Sequence, residues 1–241
     1  MMGTSHSASG LLVGVSLAAA LGSHPADLFV CAAVGAGAAL LPDLDEPGST
    51  VGRSLGVVTA GLSRLLRSAS RATYRATGTP YELREDRDGG HRHLTHTVPA
   101  VLTFGALWWG VASLGAVGLA VAVFALAALG LACVLRPFGR SAVQGAGVLG
   151  VVVATAAVLF GSSPWLVGLT VAVGSLTHIL GDWLTRSGVP LAWPLTHRGK
   201  RWWMFRSPVA FRTGQSRVED AIRWCCLAGA PVVGMFTLVA A

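Results

Sequence analysis

Apolar positions in this chain come as long unbroken runs, broken only where charge or proline intervenes. Seven stand out: Gly10–Gly22, Leu28–Leu41, Val98–Gly115, Val117–Leu135, Val143–Phe160, Trp165–Gly181 and Ala221–Ala240. Residues 98–135 carry no charge at all. As one helix that stretch would be roughly 57 Å long at about 1.5 Å per residue, nearly twice the roughly 30 Å hydrocarbon core of a bilayer. It therefore folds back, and Ser113–Gly118 is the predicted turn. The first two runs are short for spans, which leaves tilted helices, a re-entrant pair, or two helices buried inside the bundle. The pattern predicts an all-α fold: a polytopic transmembrane helix bundle of about seven spans.

One segment has a different period. Within Gly52–Gly78, Leu55, Val58, Leu62, Leu65, Leu66 and Ala69 fall on one helical face, interleaved with Arg64, Arg67, Arg71 and Arg75. This predicts a cytoplasmic amphipathic helix lying on anionic lipid headgroups. The rival reading is an arginine-rich face for an anionic substrate or partner. Thr79–Gly90 is polar and charged, and reads as an exposed loop. The chain is thus one membrane-embedded domain, residues 1–241, with an Arg-rich insertion at 52–90.

Composition agrees with lipid contact. Of 241 residues, 53% are hydrophobic and only 12% charged, against about 25% charged in soluble domains; the mean hydropathy is +0.62. The net charge of +7 would suit nucleic acid, but in a membrane protein it is what cytoplasmic loops carry, so no direct nucleic-acid binding is expected. Eight arginines lie between the second and third runs, Arg136 and Arg140 between the fourth and fifth, and seven basic residues from Arg186 to Arg217 between the sixth and seventh. The alternate connections hold no Lys or Arg. Seven spans with the N-terminus inside place every basic loop in the cytoplasm. Cys31, Cys133, Cys225 and Cys226 sit in apolar runs, with no disulfide framework or thiolate site implied. Met1–Gly10 lacks the basic n-region of a signal peptide, so the first run is expected to be retained.

Ionisable groups at membrane depth are functional candidates by default. Four clusters meet that description: His6; Asp43, Asp45 and Glu46 in LPDLDEPGS; His91, His93 and His96 in HRHLTHT; and His178 with Asp182 in HILGDWLTRSG. His178 and Asp182 share one helix face. Singly, each cluster has a bland reading as a helix-end hydrogen bond or a solvated turn, and His93 is the member of the triplet most readily a bystander. Together, the charge-derived topology brings all four to one membrane face. Imidazole and carboxylate without thiolate suit a divalent metal, zinc first, with manganese or iron as alternatives, keeping positions open for water. Arg92, Arg201 and Arg212 are available to hold an anionic substrate group.

In that order, LPDLDEPGS, HRHLTHT and HILGDWLTRSGVPLAWPL resemble the signature of the YdjM-like family, described as LexA-regulated inner-membrane proteins and metal-dependent hydrolases. The resemblance extends to His6 and to RTGQSRVED, and covers nearly the whole chain. It implies metal roles for His6, Asp43, Asp45, His91, His96, His178 and Asp182. His93, where the family often has glycine, and the Arg-rich insertion are departures from the family pattern. Two carboxylates are candidate bases for taking a proton from water, Asp45 and Glu219. The resulting expectation is a multi-pass inner-membrane enzyme that hydrolyses an ester or phosphoester, with membrane lipids as its surroundings and a lipid or other anionic molecule as substrate. The competing expectation is a non-enzymatic docking or regulatory protein that uses only its basic cytoplasmic loops.

Overall fold

A computed structural model describes residues 1–85 and 88–240. Asp86 and Arg87, part of the segment read as an exposed loop, lie outside the described residues, as does Ala241. The described residues form α1 (Gly3–Leu21), α2 (Ala26–Ala38), α3 (Val57–Thr77), α4 (Val98–Ala112), α5 (Gly115–Leu135), α6 (Arg140–Leu159), α7 (Pro164–Trp183) and α8 (Arg217–Ala240). Among them only isolated bridge pairs, such as Thr185 with Phe211, are β-like. Six helices are long and apolar enough to cross a membrane, and α4 is a shorter apolar helix. This is an all-α membrane bundle with an amphipathic helix, α3, set beside it.

The two short runs become full-length helices because polar residues are drawn into them. α1 starts at Gly3, so His6 lies inside its first turns and is fully buried rather than preceding the helix. α2 continues past Ala38 into a 3₁₀ turn, Leu41–Asp45, giving an apolar segment of 20 residues. The predicted fold-back falls between α4 and α5, where Gly115 adopts φ 83°, a left-handed conformation that glycine takes without a Cβ clash. α7 opens on Pro164 in its first turn, where a missing N–H costs nothing.

α2 is the central helix. Val30 and Val34 share a core with Leu119, Val123 and Leu126 of α5, Ala154 of α6, and Val167 and Val171 of α7. Lipid tails are as apolar as leucine, so helices in a bilayer gain most from close backbone approach. α2 achieves this on two sides. A Cβ at Gly14 of α1 would stand 1.9 Å from the Cys31 carbonyl oxygen, and one at Gly37 would stand 2.0 Å from that of Leu126.

The two ends of the bundle differ chemically. At one end Asp27 accepts hydrogen bonds from the Ser23 and His24 amides (3.0 and 3.2 Å) and from the Ser162 hydroxyl (2.6 Å), tying the α1–α2 turn to the α6–α7 turn. The opposite end gathers the start of α1, the end of α2, the start of α4 and the end of α7. α3 lies at this second end. It turns small polar residues inward, Thr59, Ser63 and Ser70 with Tyr74, and leaves Val58, Leu62 and Leu65 exposed, as is Leu55 just before the helix. The Ser70 hydroxyl bonds the Gly89 and Gly90 carbonyls (2.6 and 2.8 Å) and accepts from the Leu94 amide (3.2 Å), while Arg67 reaches Glu46 at 3.0 Å. The leucine stripe is therefore the outward face, as a helix resting on lipid requires.

Replacing Gly14 or Gly37 by valine should destabilise the protein in detergent by about 2 kcal/mol or more, because backbone has to move to admit a side chain. Gly145→Val, at a position with open space around it, should leave the melting temperature nearly unchanged. Equal melting temperatures for all three variants would contradict the packing described.

Candidate metal centre

Three segments supply the centre, each shaped locally. Pro42 opens the 3₁₀ turn that presents Asp43 and Asp45 at the end of α2. The HRHLTHT segment ends in a second 3₁₀ turn, Leu94–His96, and Thr97 caps α4 by accepting from the Ala100 amide at 3.3 Å. α7 carries His178 and Asp182 one turn apart on one face.

Asp43, His96, His178 and Asp182 each direct one ligand atom to a common point, all four atoms lying within 4.8 Å of one another. His178 Nε2 is 3.2 Å from His96 Nε2. Asp43 Oδ1 stands 3.5 Å from His178 Nε2 and 3.8 Å from His96 Nε2, and Asp182 Oδ2 is 3.7 and 3.5 Å from the same two atoms. Ligands held tetrahedrally at about 2.0–2.2 Å from a cation stand roughly 3.3–3.6 Å apart. The five separations, 3.2–3.8 Å, bracket that range.

The protons on the two rings can be placed from their other contacts. His178 Nδ1 lies 2.7 Å from the Ala39 carbonyl oxygen, which can only accept, so Nδ1 carries the hydrogen. The Thr95 hydroxyl donates its one hydrogen to Asp45 Oδ2 at 2.7 Å and must therefore accept from His96 Nδ1 at 3.0 Å. With both rings neutral, the two Nε2 lone pairs face each other at 3.2 Å in a fully buried place; with one ring charged, its Nε2–H donates to the other. A proton or a metal ion between the two nitrogens satisfies the pair. Burial holds the His96 ring below the ordinary histidine pKa. The Asp182 Oδ2 atom is buried without a hydrogen bond. These residues fit a divalent cation.

A further set surrounds the four. The His6 ring stacks on His178, centroids 3.7 Å apart, with its Nε2 3.3 Å from Asp182 Oδ1; neither ring nitrogen has a hydrogen-bond partner. Gly181 admits this ring, since a Cβ there would stand 3.1 Å from His6 Cε1. The Met1 α-amino group also bonds Asp182. Asp45 stands behind His96 rather than beside the common point. Its Oδ1 bonds His91 Nδ1 at 2.8 Å, and its Oδ2 accepts from Thr95 and, at 3.3 Å, from the Arg92 amide. Burial acts to lower the pKa of His91, but the bond to Asp45 and the charges of Asp45 and Asp43 outweigh it and raise it. Arg92 has φ 61°, unusual for a residue with a side chain. Its guanidinium bonds the Thr185 hydroxyl at 3.0 Å and lies 3.3 Å from Asp182 Oδ2.

The remaining candidates lie apart from these groups. His93 bonds the His91 carbonyl oxygen through Nδ1 at 2.9 Å and packs its ring on Tyr74 and Trp202. Arg201 is turned to the Thr77 carbonyl at 2.7 Å, and Arg212 is exposed. Glu219 is buried and accepts from the Gly214 amide at 2.6 Å and from the Met2 amide, so backbone donors occupy both of its oxygens. Sequence reasoning passed over Thr95, Ser70, Thr185 and the Ala39 carbonyl. Only Thr95, framed by histidines, left a visible signal.

No curated protein and no solved structure matches the chain. A family model does, over residues 1–240, with the description YdjM inner membrane protein. That span takes in all four cluster residues and the helices that hold them, and the chain accordingly belongs to the YdjM inner membrane protein family.

Proposed function

We propose that the protein is a metal-dependent hydrolase of an ester or phosphoester, working at the cytoplasmic face of the inner membrane. The observation that carries this reading is the convergence of His96 Nε2 and His178 Nε2, 3.2 Å apart, with the carboxylates of Asp43 and Asp182 beside them. Zinc suits two imidazoles and two carboxylates best, with manganese or iron as alternatives. Bound there, such a cation would supply a Lewis acid that polarises a substrate oxygen and makes water a stronger nucleophile at neutral pH.

The chain's own residues would do the rest. Arg92 holds an anionic oxygen of the substrate beside Asp182, its guanidinium already fixed by Thr185. Asp45 acts through His91: it fixes the Nδ1 side of that ring and leaves Nε2, which carries no hydrogen bond among the described residues, to take a proton from water. Glu219, held by two amides, positions the start of α1 rather than moving a proton. The basic segments surround this centre, and the excess of Lys and Arg in short loops on the cytoplasmic side supports a cytoplasmic N-terminus.

Metal analysis of protein purified in one detergent tests the centre. His178→Ala and Asp182→Ala should lose bound metal, whereas His93→Ala should keep a wild-type content. Asp45→Asn should retain the site but bind metal about 10–100-fold more weakly, as expected when an outer partner of a ligand is removed. Wild-type protein that stays metal-free after reconstitution with zinc, manganese and iron would falsify the reading.

Orientation is tested separately in a cysteine-free background. A membrane-impermeant maleimide should label Ser163→Cys in intact cells and Pro80→Cys only after permeabilisation. The reverse pattern would put the centre on the other side of the membrane.

A further inference from the structure

A groove of about 900 Å³ opens at the same end of the bundle as the metal centre, between α3, the Leu41–Asp45 turn and the α5–α6 pair. Its walls are apolar, with Leu41, Leu44, Leu62, Trp108, Phe124 and Leu129 among them. Arg136 and Arg140, at the α5–α6 connection, line it too. Both are exposed, and neither has an acidic partner among the described residues.

Three features narrow the occupant. The volume lies in the range of small-molecule sites, about 300–1,000 Å³, yet the walls offer hydrocarbon rather than hydrogen bonds. Two unpaired guanidinium groups add positive charge beside those walls, the complement of a phosphate. The groove also adjoins the exposed leucine face of α3: Leu62 belongs to both, and Leu55, just before the helix, lines the groove too. An amphipathic molecule from the bilayer, apolar along its length and anionic at its head, satisfies all three.

We propose that this groove seats an acyl chain of an anionic phospholipid, held at its phosphate by Arg136 and Arg140, and that such a lipid is the substrate class of the metal centre. The second half rests on the hydrolase reading given above; the first half does not. The Leu41–Asp45 turn joins the two places. Leu41 and Leu44 line the groove while Asp43, between them, points its carboxylate at the cluster. A lipid seated along Leu44 has its ester and phosphate groups at the edge of the apolar region, where this turn carries Asp43.

Full-length protein in phosphatidylcholine nanodiscs, doped with phosphatidic acid bearing a photoactivatable acyl chain, provides the test. Crosslinks mapped by mass spectrometry should concentrate at Leu62, Phe124 and Leu129. Ala125→Trp, which fills the groove from an exposed wall position, should lower the labelling several-fold. Arg136→Gln and Arg140→Gln should each lower it about fivefold for the anionic probe, the effect of one basic residue near an anionic surface, and leave a phosphatidylcholine probe unaffected. All three variants should keep wild-type metal content, which separates loss of the lipid from loss of the centre. Crosslinks spread evenly over the outer faces of α6 and α8, equal labelling by the neutral probe, or a crosslinked dimer joined through groove residues would each overturn the lipid site. Groove labelling in a protein that cannot be loaded with any metal would uphold the lipid site and sink its link to hydrolysis.

Discussion

α2 has almost no side-chain thickness where it crosses α1 and α5, and much else in the molecule follows from that contact. With Gly14 against the Cys31 carbonyl and Gly37 against that of Leu126, the helix cannot slide or rotate without a backbone clash. Its depth in the bundle is fixed, and so is the height at which the Leu41–Asp45 turn emerges. α7 is held against the same helix: Ser175 bonds the Ala38 carbonyl at 3.2 Å and His178 bonds that of Ala39. The backbone of α2 therefore orients a ring on α7, while its own next turn supplies a carboxylate to the same point. Precision of this kind is hard to build on loops and natural at the end of a packed helix.

The electrostatics of the cluster depend on groups one step further out. The Ala39 carbonyl and the Thr95 hydroxyl decide which nitrogen of each imidazole keeps its proton. Without them either ring could carry its hydrogen on the inner nitrogen and donate it to the other ring, and the cluster would be an ordinary hydrogen-bonded network. With them the outer nitrogen of each ring is already engaged, and the inner nitrogens are the ones left to meet a proton or a metal ion. Thr95 also links the cluster to the Asp45–His91 pair, so His96, Thr95, Asp45 and His91 form one hydrogen-bonded chain.

The unbroken apolar runs and the segregation of Lys and Arg made the helix count and the common end of the candidate residues legible, because both are properties of composition along the chain. The spacing of His178 and Asp182 was legible for a similar reason: a helix converts four residues into one turn. The start of α1 was not. Residues Gly3–Ser9 are small and polar, and only packing against α7, with Gly181 giving way to His6, makes a buried helix of them. The inward face of α3 was hidden too, since the leucine stripe dominates its pattern while the bonds that dock it come from Arg67, Ser70 and Tyr74. Of the division of labour within HRHLTHT, only the standing apart of His93 was legible. That division depends on a tight turn with Arg92 at positive φ, which sends His91 to Asp45, His93 to Tyr74 and His96 to the cluster.

The Arg-rich insertion takes on a structural role in this light. Through Ser70 and Arg67, α3 braces both segments that flank it in sequence: the turn carrying Asp43 and the loop carrying His96. Those two segments contribute half of the cluster. An insertion that only anchored the protein to lipid would not need a small polar face matched to the Gly89–Gly90 backbone. One that only braced the loop would not need exposed leucines. α3 carries both, so an exposed leucine face and an inward polar face that supports the cluster's segments belong to one helix, and the groove lies beside it.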